Sequence, residues 1–186
     1  MTTPIPRKAF YFLRHGQTEH NVKRITTGRE KDVPLNDHGR SQARLIAPQV
    51  EQLPIQTICY SPLRRAQETM ELGAAGLTTM KRIAIDDLKE CVSDVWLTMT
   101  EQKAKEPSCA QVRAFFAQVR AGLLKALTFA GPVLIIAHGG VYWALCHQLK
   151  IFDHEWKIGN GEVAHFSPNE DNGWQAKLII EPPKGG

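Results

Sequence analysis

The stretch that decides the fold is AFYFLRHGQTEHN, residues 9–21. An apolar segment that ends at Leu13 runs directly into Arg14, His15 and Gly16. A strand that only filled a core would end on a turn residue, whereas this one places a cation and an imidazole at one point. The stretch therefore predicts a buried strand whose carboxyl end carries a functional site.

The same arrangement returns in PVLIIAHGG, residues 132–140, where an apolar run ends on His138 and Gly139. Runs without polar residues are typical of strands buried in a parallel sheet. Further strands are predicted over 55–60, 81–87, 162–167 and 174–180, with helices over 36–53, 61–72, 110–127 and 141–149. Strands that alternate with helices predict a single-domain α/β fold, with a mostly parallel sheet and helices on both of its faces.

In such a sheet, ligands bind beyond the carboxyl ends of the strands. His15 and His138 follow two predicted strands, and Arg65 and Glu90 come shortly after two others. We therefore expect these side chains at one rim. Ser61 is predicted to cap the next helix, with its N–H groups turned toward the same rim.

These residue types suit a compact dianion. Guanidinium groups such as those of Arg14 and Arg65 bind phosphate or carboxylate in a forked geometry. A neutral imidazole can attack phosphorus, and a protonated carboxyl such as Glu90 can donate a proton to a leaving alkoxide. Each residue alone also has a plain interpretation as a solvated or surface side chain. The repeated His-Gly pair after two apolar strands favours a functional interpretation of these residues.

Composition narrows the function further. The chain has 186 residues and a formal net charge of +4, with its basic residues scattered, which argues against a nucleic-acid or membrane surface. No apolar run reaches the roughly 18 residues of a membrane span, and the N-terminus lacks an apolar signal segment. The cysteines form no close pairs, so we expect reduced thiols and a cytoplasmic protein. Histidine and acidic residues at metal-ligand spacing are missing, so no metal is expected.

Five segments in order resemble the histidine phosphatase superfamily, the phosphoglycerate-mutase-like phosphatases. They are LRHGQTEHN (13–21), PLNDHGRSQA (34–43), SPLRRAQET (61–69), LKE (88–90) with Trp96 after it, and IIAHGG (135–140). The resemblance implies that His15 is a nucleophile that becomes phosphohistidine. It implies that Glu90 is the proton donor, and that the groups which hold the phosphoryl moiety or line its pocket are Arg14, Arg65, His138, Asn21 and Gly139.

The closing stretch PPKGG predicts a frayed tail at 181–186. The resemblance implies a single domain over residues 1–186, with a small cap region around 91–110. It implies no cofactor and a small phosphorylated substrate, or a phosphoprotein. The sequence departs from the family after Glu90, where Asp94–Thr98 replaces the usual G-x-W-E-G pattern. This departure bears on substrate contacts and on the assignment of Glu90.

Three functions stay open at this point. A phosphomonoesterase is favoured, because the segment between Glu90 and His138 is short and leaves the pocket open to water. A phosphoglycerate mutase would carry longer insertions over the site, and a non-catalytic phospho-ligand binding module would not need a nucleophile. The sequence does not discriminate among sugar phosphates, alpha-ribazole phosphate and a phosphohistidine protein as substrates. The oligomeric state is not indicated.

Overall fold

A computed structural model describes residues 3–102, 109–151 and 157–183. In this part of the chain six strands form one sheet in the order β3-β2-β4-β1-β5-β6. β1 to β4 are mutually parallel, whereas β5 runs antiparallel to both β1 and β6. The strands are β1 (Phe10–Arg14), β2 (Thr57–Tyr60), β3 (Lys81–Ala84), β4 (Val133–Ala137), β5 (Val163–Pro168) and β6 (Trp174–Ile180). The predicted α/β fold with a mostly parallel sheet is confirmed.

Six α-helices and one 3-10 helix, Asp86–Leu88, connect the strands within the described residues. Most crossovers between parallel strands contain a helix, as expected because a parallel pair needs a long connection. The α-helices are α1 (Glu19–Val22), α2 (Asp37–Val50), α3 (Arg64–Gly73), α4 (Ser93–Gln102), α5 (Ala110–Ala126) and α6 (Gly139–Gln148).

The helices cover both faces of the sheet, and the alternation of side chains along β1 shows how. Phe10 and Phe12 point into one apolar cluster, which contains buried residues of α4, α5 and α6. Tyr11 and Leu13 point into the other, which contains buried residues of α2 and α3. Because successive side chains of a strand face opposite ways, the apolar run from Phe10 to Leu13 requires both faces of the sheet to be covered.

The cap region expected around 91–110 contains α4, and residues 103–108 of it lie outside the described residues. Residues 181–183 of the expected tail form neither helix nor strand, and 184–186 lie outside the described part. Whether these segments act as a cap and a tail stays a prediction. None of the helices described combines the length and apolarity that a membrane crossing requires.

Candidate active site

The ends of β1 and β4 place two histidines side by side. The two strands pair in parallel with Arg14 opposite Ala137, so the residues that follow, His15 and His138, are neighbours. The backbone N–H of His15 donates to the carbonyl of Ala137 at 3.0 Å. The two imidazole centroids lie 5.2 Å apart, and both rings are buried. The structure thus places His15 and His138 together at one rim of the sheet, as expected.

The ring of His15 has a defined tautomer. Its Nδ1 lies 2.7 Å from the carbonyl oxygen of Gly16, and a carbonyl only accepts, so Nδ1 carries the hydrogen. Burial, with further contributions from Arg65 and Arg14, holds the pKa of His15 well below its usual value. The imidazole is therefore neutral near pH 7, with the lone pair on Nε2.

His138 is fixed by a different contact. Its Nε2 forms a 2.7 Å hydrogen bond with the hydroxyl of Ser61. Its Nδ1 is buried and finds no hydrogen-bond partner within the described residues. Burial, followed by the charge of Arg65, lowers the pKa of His138 well below its usual value. A second neutral imidazole thus stands beside His15 with one ring nitrogen available.

The position of Ser61 corrects the expected start of the following helix. α3 begins at Arg64 with Leu63 as its N-cap, and Leu63 makes no side-chain capping bond. The N–H of Arg64 at this helix end donates to the carboxylate of Asp32 at 2.7 Å. Ser61 therefore orients His138 instead of capping a helix. At least one of the helix N–H groups expected at the rim is already occupied.

Arg14 and Arg65 bring two guanidinium groups to the histidines. Arg14 donates from Nη1 to the carbonyl of Ile158 at 2.5 Å, and its Nε is buried without a recorded partner in the described chain. Arg65 is 2% exposed and donates from Nη1 to the carbonyl of Lys31 at 3.2 Å. Burial lowers the pKa of both side chains and Glu90 raises it, yet an arginine remains charged. Each guanidinium group therefore still has N–H groups that can bind an anion.

Glu90 is buried against the start of α6. Its Oε2 accepts a hydrogen bond from the N–H of Gly140 at 3.0 Å, and its Oε1 accepts one from the N–H of Cys91 at 3.1 Å. Burial raises the pKa of this carboxyl even though both bonds and the two arginines favour the charged form. A Cβ at position 140 would stand 2.2 Å from Oε1, which explains why a second glycine follows His138.

Asn21 and Gly139, the two weaker predictions, both line the cavity. The side-chain oxygen of Asn21 already accepts from the N–H of Thr18 at 3.0 Å, in a capping box at the start of α1. Asn21 is thus at least partly structural. Gly139 starts α6 close to Arg14 and leaves its backbone near the site.

Asn160 supports the loop after β1 from outside the cavity lining, and the sequence analysis did not single it out. Its Nδ2 donates to the carbonyl of His15 at 3.0 Å and to Oδ1 of Asn21 at 3.3 Å. The Asn-Gly pair at 160–161 before a strand signals a turn. The sequence offers no sign that this turn packs on the end of β1, because the contact depends on the pairing of β5 with β1.

A cavity of about 300 Å³ opens at this rim. Of the predicted residues, it is lined by Arg14, His15, Asn21, Arg65, Glu90 and Gly139, whereas His138 is fully buried behind the lining. Within the described residues, no three His, Cys, Asp or Glu side chains cluster closely enough to hold a metal ion. Two guanidinium ions beside two neutral imidazoles suit a phosphate-like dianion.

The fold and the site together describe an α/β protein with histidines and arginines around one cavity at the carboxyl ends of its parallel strands. Residues 10–181 match the sequence family described as the histidine phosphatase superfamily, branch 1. The chain belongs to this superfamily, and the resemblance in the five sequence segments is thereby confirmed.

Several of the curated relatives are named as phosphatases, and two others are named agropine synthesis reductase. A Bacillus subtilis protein named uncharacterized phosphatase PhoE is 31% identical over 157 residues, which cover 79% of this chain and 80% of that protein. A Schizosaccharomyces pombe protein named as a probable phosphatase is 48% identical over 68 residues, which are 36% of this chain and 32% of that protein. The chain spans less than half the length of the first curated relatives that it matches.

A solved structure extends the likeness to the whole fold. A mycobacterial glucosyl-3-phosphoglycerate phosphatase in complex with VO3 superimposes with a TM-score of 0.70 at 25% identity. The superposition covers 91% of this chain and 97% of that one. Phosphatase-type relatives therefore share both the sequence family and the architecture.

Proposed function

We propose that the protein hydrolyses phosphomonoesters through a covalent phosphohistidine on His15. The observation that carries this proposal is the tautomer of His15, whose Nδ1–H bond to Gly16 leaves a lone pair on Nε2 beside two arginines. A group that only bound phosphate would be a donor or a cation at this point. A neutral imidazole in its place is suited to attack phosphorus.

In the first step Nε2 of His15 forms a bond to phosphorus while the bond from phosphorus to the alcohol oxygen breaks. Arg14 and Arg65 hold the remaining oxygens as their charge shifts, and the buried ring of His138 lies behind them with no other hydrogen-bond partner for its Nδ1 among the described residues. Glu90 gives its proton to the departing alcohol oxygen, and its raised pKa favours the protonated form that this role requires.

In the second step a water oxygen attacks phosphorus, and the bond from phosphorus to Nε2 breaks. The Glu90 carboxylate formed in the first step takes a proton from that water. Inorganic phosphate leaves, and His15 and Glu90 return to their starting protonation states. The two guanidinium groups supply the positive charge at the transferring group, so we propose that turnover needs no metal ion.

A phosphoglycerate mutase would use the same first step but pass the phosphoryl group to a second organic hydroxyl. The small cavity of about 300 Å³ opens to solvent, which favours water as the acceptor. The third possibility is a protein that binds a phosphorylated ligand and catalyses no reaction.

The test is to trap the intermediate. Wild-type protein mixed with a labelled aryl phosphate and quenched in denaturant should carry label that is stable in alkali and lost in acid. His15→Ala should carry none, and wild-type turnover should persist in excess chelator. Label retained by His15→Ala would overturn the nucleophile, and turnover that depends on an added phosphoryl acceptor would indicate a mutase.

A further inference from the structure

The segment that carries Glu90, residues 86–91, lies outside the strands and α-helices. Glu90 follows the 3-10 helix Asp86–Leu88, and α4 begins shortly after it, at Ser93. A second cavity, of about 220 Å³, adjoins the segment at Cys91. Side chains that line a cavity lack packing partners on that side, so the position of this segment depends more strongly on its hydrogen bonds.

Helix α5 supports the segment from one side. A Cβ at Gly122 would stand 3.0 Å from Cδ2 of Leu88 and 3.1 Å from the carbonyl carbon of Asp87, so a glycine lets the segment lie close against the helix. Gln118 is on the same face of α5, because residues four apart in a helix are neighbours. Its Nε2 donates to the carbonyl of Lys89 at 3.0 Å and to that of Asp87 at 3.3 Å. Gln118 therefore holds the backbone just before Glu90.

Arg29 sets the orientation of the Gln118 amide. Its Nη1 donates to Oε1 of Gln118 at 2.9 Å. An amide has one accepting and one donating end, and a flipped amide would point its oxygen at two carbonyl oxygens. Arg29 also reaches the other side of Glu90, because its backbone N–H donates to the carbonyl of Cys91 at 3.1 Å. The backbone is thus held on both sides of Glu90 by two residues that are bonded to each other.

The backbone of this segment in turn determines where the carboxyl of Glu90 lies. Oε1 accepts from the N–H of Cys91, and Oε2 accepts from the N–H of Gly140. Gly140 is in the first turn of α6, where backbone N–H groups have no partner inside the helix. Glu90 supplies that partner. A shift of the segment would weaken both contacts and would leave the N–H of Gly140 open to solvent exchange.

We propose that Gln118 and Arg29 are positioning residues, which hold the backbone on both sides of Glu90 and so keep its carboxyl in the wall of the active-site cavity. Neither side chain lines that cavity, and neither touches the substrate. This inference rests on the proposed hydrolase function, in which Glu90 is the proton donor. Ser93 is bonded separately to the loop before β2, through Gly28 and Glu30, so loss of Gln118 displaces Glu90 only in part.

The first test compares two kinds of leaving group in Gln118→Met, which keeps the length of the side chain and removes its hydrogen bonds. A misplaced acid slows alkyl phosphates, whose leaving oxygen needs the proton, and hardly affects aryl phosphates. We expect the single-turnover rate to fall about tenfold for alkyl phosphates and less than about twofold for aryl phosphates. The dissociation constant of inorganic phosphate should not change, because Arg14 and Arg65 are untouched.

A double-mutant cycle tests the order of the two contacts. Arg29→Met should lower the alkyl rate about threefold in the wild type and cause no further loss in Gln118→Met, because its side chain acts through the Gln118 amide. The control is Gln111→Met. Gln111 is an exposed glutamine of the same helix that also lines the cavity of about 220 Å³, and it has no recorded hydrogen bond with residues 86–91 in the described chain. This change should leave both rates as they are.

Amide exchange of Gly140, measured by NMR on the free protein, reports the position of Glu90 without turnover. We expect it to be at least about fivefold faster in Gln118→Met and unchanged in Gln111→Met. Unchanged exchange in Gln118→Met, or equal losses for alkyl and aryl phosphates, would overturn the positioning role. A full additional loss from Arg29→Met in Gln118→Met would overturn the part assigned to Arg29. If exchange rises but the wild type hydrolyses neither substrate, the positioning role stands and the hydrolase proposal fails.

Discussion

At the scale of single residues, burial is the largest cause of the pKa shifts in the candidate site. It lowers the pKa of His15 and His138 and raises the pKa of Glu90, so each of the three shifts favours the uncharged form of its group. In the proposed mechanism, a neutral His15 is the nucleophile and a protonated Glu90 is the acid, and both line the same cavity as Arg14 and Arg65. Titratable groups whose pKa values are shifted by burial and by neighbouring charges are typical of functional sites.

The role of Glu90 is tested by the leaving group. Glu90→Gln keeps the size of the side chain but removes the acid, so alkyl phosphates should react roughly 10²–10⁴-fold more slowly. Aryl phosphates leave as phenolates, which barely need a proton, and should react in the first step at nearly the wild-type rate. Single-turnover rates plotted against the pKa of the leaving alcohol give the comparison.

An equal loss for alkyl and aryl substrates would remove Glu90 from this role. The neighbouring carboxylates Asp86, Asp87 and Asp94 would then become candidates. Slow turnover after a fast first step would instead agree with Glu90 acting as the base on water.

At the scale of the elements, helix phase decides which arginine enters the site. Adjacent residues of a helix point about 100° apart, so Arg64 and Arg65 at the start of α3 face different surroundings. The side chain of Arg64 is 62% exposed and pairs with Glu68, whereas Arg65 is buried against the cavity. The two side chains are chemically alike, and the orientation of α3 places only Arg65 in the cavity wall.

This difference predicts unequal effects of the same substitution. Arg65→Lys keeps the charge but loses the fork, and kcat/KM should fall at least about tenfold, which corresponds to about 1.4 kcal/mol of transition-state binding. Arg64→Lys should change kcat/KM less than about twofold, since an exposed ion pair contributes little. Steady-state kinetics on both variants decide the point, and equal losses would mean that the wrong arginine was chosen.

The elements also show what the sequence could and could not predict. The contact of His15 with His138 was predictable, because both residues follow apolar strands and parallel strands present their carboxyl ends at one edge. The start of α3 was not predictable. The hydroxyl of Ser61 could either cap the helix or form a hydrogen bond with a histidine, and the histidine that it contacts, His138, follows a distant strand. The contact of Asn160 with His15 was not predictable for a similar reason, because an Asn-Gly turn signal does not indicate which strand the turn packs against.

At the scale of the whole molecule, the site lowers stability in acid. The pKa of His15 and that of His138 are lowered in the folded protein, so unfolding in mild acid binds protons. Their contribution to stability is complete above their unfolded pKa of about 6.5 and is lost as the pH falls below it. Glu90 acts in the opposite sense, because its pKa is raised on folding and its contribution is lost as the pH rises.

Replacing one of these histidines should therefore flatten the dependence of stability on pH. Each contributes a slope of about 1.4 kcal/mol per pH unit to the free energy of unfolding below pH ~6.5, and His138→Gln should remove one such contribution. Urea unfolding at several pH values between about 7 and 5 measures the slope. His38→Gln, at an exposed position, is the control. An unchanged slope in His138→Gln would mean that the buried imidazole is protonated in the folded protein.

The central place of β1 in the sheet has a consequence for the order in which the chain is synthesised. β1 carries Arg14 and leads into His15, yet its two neighbours, β4 and β5, begin at Val133 and Val163. While the ribosome makes the residues between, this apolar strand has neither of its partners. Until β4 and β5 have been made, β1 therefore exposes unpaired backbone groups and apolar side chains. Nascent chains in this condition can aggregate or bind chaperones. The strand that leads into His15 is thus synthesised before both of the strands that cover its edges.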